Sequence, residues 1–145
     1  MQAVVAALLL AGTVAMIVGL SRRPLSRSQL AIQAGELRSS ASELVLFAEE
    51  QRAGHLTGAF AQVHGQSLLD SVTETKQSLD EAKPEPGLEG WLERARQRAA
   101  DIEKLAQQVQ QDVTGGSGPL AVDSPADELR RESAALQELE EALKH

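Results

Sequence analysis

Between Leu88 and Val113 apolar residues recur at alternating steps of four and three: Leu88, Leu92, Ala95, Ala99, Ile102, Ala106, Val109 and Val113. On a helix of about 3.6 residues per turn this spacing gathers all of them on one side, forming a seam for packing against other helices. Trp91 and Leu105 flank the seam, while Arg94, Arg98, Asp101, Glu103, Gln108 and Gln111 fall elsewhere. A strand, with its period of two, would scatter the same set over both faces. Leu30, Ala34, Leu37, Ala41, Leu44 and Ala48 repeat the rhythm, and Val45 and Phe47 widen that stripe beyond the narrow seam of a two-stranded coil.

The chain is thus read as all-α, an N-terminal transmembrane helix followed by an antiparallel three- or four-helix bundle or coiled-coil body. Composition agrees. Aromatic residues make up 2% of the chain, with Phe47, Phe60 and Trp91 its whole complement and no Tyr. A sheet core normally draws more heavily on rings and β-branched side chains.

Helix punctuation sets the boundaries. Ser26 or Ser28 can cap a helix over 27–53, and Gly54 can stop it. Gly54 and Gly58 mark a turn before a helix over 57–82, whose apolar set is Phe60, Val63, Leu68, Leu69, Val72 and Leu79. Pro84, Pro86 and Gly87 interrupt the pattern, because proline lacks a backbone donor and disfavours helix at the residue before it. The strongest helix then covers 88–113. Gly115, Gly116, Gly118 and Pro119 have linker composition. Ser124 as cap, Pro125 at the first helical position and Asp127 and Glu128 at its positive end open a last helix with Leu129, Leu136, Leu139 and Leu143 on its apolar stripe. The expected organisation is an anchor over 1–22, a bundle over 23–113, a flexible linker over 114–124 and an amphipathic helix over 125–145. That helix serves either as a fourth bundle member or as a detachable arm.

The anchor is read from residues Gln2 to Leu20, which carry no charge. Ala3, Val4, Val5, Leu8, Leu9, Leu10, Val14, Ile17, Val18 and Leu20 supply its apolar surface. From Ala3 to Leu20 the helical length is roughly 27 Å, close to the ~30 Å hydrocarbon core of a bilayer. A cleaved signal peptide fits less well, since no Lys or Arg precedes the apolar run and no small-residue cleavage site stands before Ser21. Arg22, Arg23 and Arg27 follow at once and suit anionic headgroups. Basic residues favour the cytoplasmic side, so the expected orientation places the N-terminus out and the helical body in the cytoplasm, with an extracytoplasmic body as the alternative.

The net charge is −7, and the first 27 residues hold three Arg and no acid, so the remainder is acidic throughout. Such a body repels nucleic acid, whose binding depends on phosphate neutralisation. The order of span and acidic helical body resembles the layout of the peripheral-stalk b subunit of rotary ATP synthases. That family needs one long helix, whereas Pro84, Pro86 and Gly87 turn this chain back.

Candidate chemistry is sparse. His55 and His64 stand nine residues apart, a spacing that points them to opposite sides of a continuous helix, whereas helical metal pairs use three or four. Histidine phosphotransfer domains are four-helix bundles with an exposed His, and His64 followed by Gly65 would suit one, but the nearest following Lys is Lys76. The glycines at 115–118 lack the Lys and preceding strand of a phosphate loop. Arg94, Arg96 and Arg98 form a basic patch, either a solvated face or a receiver for acidic residues of the last helix such as Glu138, Glu140 and Glu141. No catalytic residue, cofactor, metal or small-molecule substrate is expected. The leading expectation is a single-pass, membrane-anchored interaction or scaffold protein, without catalytic activity, that binds a protein partner or itself through its helices. The alternatives are an extracytoplasmic sensory or ligand-binding bundle and a His phosphotransfer-like bundle.

Overall fold

The structure is a computed structural model that describes residues 24–115 and 124–145. The anchor expected over 1–22, with Arg22 and Arg23, and most of the 114–124 linker lie outside the described residues. Four helices make up the body: α1 (Arg27–Arg52), α2 (Gly58–Glu81), α3 (Glu89–Gly115) and α4 (Pro125–Lys144). Among the described residues no helix is long and apolar enough to cross a membrane.

Each helix end has a chemical cause. Ser26 closes a capping box on α1, its hydroxyl accepting from the Gln29 amide while the Gln29 side chain accepts from the Ser26 amide at 3.0 Å. Gly54, at φ +73°, ends α1 in a backbone conformation that glycine adopts without strain. Thr57 caps α2 through the amide of Phe60. Ser124 differs from the expectation: its hydroxyl accepts from Arg52 at 2.6 Å instead of capping its own helix. That bond fastens the start of α4 to the end of α1. α3 begins one residue later than expected and runs on to Gly115, while the buried Leu88 remains just outside it.

The helices run alternately up and down. α1 packs most extensively on α4 and α2 on α3, with the α1–α2 and α3–α4 seams less extensive. The last helix is therefore the bundle's fourth member, with Leu129, Leu136, Leu139 and Leu143 all buried. Leu30, Ala34, Leu37, Ala41 and Leu44 of α1 meet Leu92, Ala95, Ala99, Ile102, Ala106 and Val109 of α3 in one continuous core. Ala48 and Val113, at the far end, are only partly buried.

The second helix corrects the expected stripe. Its buried face is Ala61, Gly65, Leu68, Val72 and Leu79, whereas Phe60 and Val63 remain 53% and 73% exposed. The bulky side chains mislead because the inner row contains Ala61 and Gly65, and the side chains of Phe47 and Gln110 lie against the glycine. A Cβ at Gly65 would displace the Gln110 side-chain amide and lie 3.1 Å from the Phe47 ring. Gln110 spans this contact and donates to the Gln62 carbonyl at 3.3 Å. Gly65→Val is expected to destabilise the body by about 1–3 kcal/mol through overpacking, read as a lower urea midpoint at unchanged slope.

Ion pairs fix α4 in register. Glu140 lies between Arg38 of α1, at 3.2 Å, and Lys144 of its own helix, at 2.6 Å. Arg98 of α3 donates twice to Glu132, both bonds at 3.1 Å, and Arg130 pairs with Glu49. The Lys144 hydrogen bond, helped by the charges of Lys144 and Arg38 and opposed by partial burial, holds the Glu140 carboxyl below its ordinary range. A depressed folded-state value favours the native state above the ordinary carboxylate range, and this contribution disappears as pH falls through the folded value. Thermal melts of Glu140→Gln and the wild type should therefore differ at neutral pH and converge on acidification.

Candidate functional site

The three arginines of α3 do three separate things. Arg96 reaches the C-terminal end of α2, donating through Nε to the Leu79 carbonyl at 3.0 Å and through its terminal nitrogen to Asp80 and Ala82 at 3.2 and 3.1 Å. A planar guanidinium thus satisfies helix-end carbonyls at the negative pole of the helix dipole. Arg96→Ala is expected to cost about 1–3 kcal/mol in chemical denaturation, and Arg96→Lys to recover only part of it, because an ammonium cannot reproduce the fork. Arg98 is engaged by Glu132. Arg94 lies over the Trp91 ring, its guanidinium carbon 4.8 Å from the centroid, and makes no ion pair among the described residues.

Arg94 and Trp91 form one wall of an open cleft between α3 and α4, about 410 Å³ in volume. Ala135, Leu139 and Ala142 contribute the α4 side, and Glu138 stands on that wall. Glu138, like Arg94, is exposed and without an ion pair among the described residues. The cleft thus brings together a part-exposed tryptophan, the guanidinium stacked on it and, on the facing wall, a carboxylate with no ion pair among the described residues.

A second feature lies at the opposite edge of the same end of the bundle. The Leu25 amide donates to the Lys83 carbonyl at 2.7 Å, and the Glu85 amide donates to the Leu25 carbonyl at 3.1 Å, a short parallel bridge onto the α2–α3 loop. With its side chain buried, Leu25 clamps the chain where it enters α1. Arg27, the first residue of α1, is exposed beside a groove of about 660 Å³ that Ala31, Ile32, Gly35 and Leu143 also line.

These positions revise the expected partner surface. The alanine-rich seam from Leu88 to Val113 faces inward and is used in the chain's own core, so its middle is covered and unavailable to a partner. The acidic residues expected to face the basic patch are distributed differently: Glu132 takes Arg98, Glu140 takes Arg38 and Lys144, and Glu138 and Glu141 make no ion pair among the described residues. His55 bonds Glu50 at 2.9 Å in the α1–α2 turn. His64 is half-buried, stacked on Phe60 at 5.3 Å and edge-on to Phe47 at 5.6 Å. Trp91 was legible as a flank of the seam. Its partnership with Arg94 and the isolation of Glu138 depend on which neighbours the other helices bring, and Leu25 carries no local signal for its bridge.

Compared with protein families, curated proteins and solved structures, the chain has no match.

Proposed function

We propose that this is a single-pass membrane protein without catalytic activity, whose residues 1–22 tether a four-helix body that recognises another protein surface. The observation that carries the reading is the uncharged run from Gln2 to Leu20 followed directly by Arg22, Arg23 and Arg27. The Leu25 bridge is compatible with it, since it fixes to the bundle the chain just beyond Arg23. Tethering raises effective concentration at the bilayer, so a modest contact surface suffices for association.

The test is extraction of membranes at alkaline pH combined with a reporter fused after His145. The full chain should remain with the bilayer, a chain lacking residues 1–22 should be released, and the reporter should be active on the cytoplasmic side. Release of the full chain would overturn the anchor. Reporter activity only on the far side would favour an extracytoplasmic ligand-binding bundle, the reading that the open α3–α4 cleft also suits.

A further inference from the structure

We infer that the α3–α4 face is a self-complementary surface, and that its occupant is a second copy of this chain. The inference rests on reading the body as an interaction module and names its partner. Arg94 and Glu138 stand on opposite walls of the cleft. They also lie at nearly the same height, because α3 and α4 are antiparallel and Arg98 bonds Glu132 across the seam. Stepping from that bond toward the start of α3 and the end of α4, Arg94 comes four residues along and Glu138 six, a difference of about 3 Å at 1.5 Å per residue. A two-fold axis running along the cleft lays each copy's α3 over the other's α4. It sets each Arg94 against the partner's Glu138, twice over, with both Trp91 rings between them.

Charge complementarity of the patch with itself is what an isologous interface requires. The small side chains of Ala135 and Ala142 let the second backbone approach. Both copies are acidic overall, so long-range repulsion opposes association and moderate salt, which screens it, should favour the dimer. The two Arg94–Glu138 pairs then set register more than they supply net affinity.

The experiment is analytical ultracentrifugation of the full chain in detergent micelles, with emission from the single tryptophan recorded across the same concentrations. A dimer is expected, accompanied by a shift of Trp91 emission to shorter wavelength as it forms. Arg94→Glu and Glu138→Arg should each weaken association by about tenfold or more, and the double reversal should restore it. Both residues are exposed, so at dilutions where the wild type is monomeric the thermal melts of the variants should match it, which separates misfolding from lost contact. A chain that remains monomeric, or dimerises with unchanged Trp91 emission and no response to either reversal, overturns the inference. A monomer that still resists alkaline extraction would refute this partner while leaving the anchor reading intact, and a dimer released by alkali would do the converse.

Discussion

A chain that stops after Gly118 is expected to lose cooperative folding, not merely an appendage. α4 buries Leu129, Leu136, Leu139 and Leu143, and at about 1.5–3 kcal/mol per buried leucine they contribute roughly 6–12 kcal/mol. Part of this is offset, because the deleted segment no longer loses conformational entropy on folding. Nothing offsets the loss on the other side of the contact. Leu30, Leu37 and Leu44 of α1, each at most 1% exposed, lose cover from the helix that packs on α1 most extensively. Domains of this size are stable by only about 5–15 kcal/mol, so the remaining three helices should retain helicity without a sharp melt, and bind a hydrophobic dye. An unchanged melting temperature for the truncated chain would mean that α4 is dispensable.

Ile102→Asp is the second severe change. Ile102 is completely buried near the middle of α3, in the core shared by the helices, and no polar or charged residue is buried among the described residues. Burial of an isolated carboxylate there has no partner to compensate it, and the aliphatic packing is lost as well. The expected penalty is on the order of 5 kcal/mol or more, comparable with the whole stability of the domain. Circular dichroism should show an unfolded or molten chain at neutral pH, with partial recovery under acidic conditions that protonate the introduced side chain. Ile102→Val, which keeps shape and apolarity, should cost only about 0.5–1.5 kcal/mol. A native melt for Ile102→Asp would contradict the buried seam.

The helical architecture was readable because Leu and Ala repeat along α1 and α3 without interruption, and because Ser26, Gly54, Pro84, Pro86, Gly87 and Pro125 mark ends by local backbone chemistry. α2 is less legible. Its inner row uses Ala61 and Gly65, residues that a search for large apolar side chains passes over, while Phe60 and Val63 point elsewhere. Gly65 signals close approach only once Phe47 and Gln110 are known to lie against it. The arginines show the same limit: neighbours in sequence at alternate positions on one helix, they face three different environments, a helix end, a carboxylate and an indole. Periodicity predicts which side of a helix is buried, but not which neighbour is met there.

The Leu25 bridge has a mechanical consequence. Both of its hydrogen bonds converge on one residue, and through them the entry to α1 is joined to the loop connecting α2 and α3. Tension applied at Pro24 would be shared at once between α1, which carries α4, and the hairpin of α2 and α3. The load then falls across the bundle's midline instead of peeling one helix from the others, so the body should respond to a pull as a single block that tilts before it unravels.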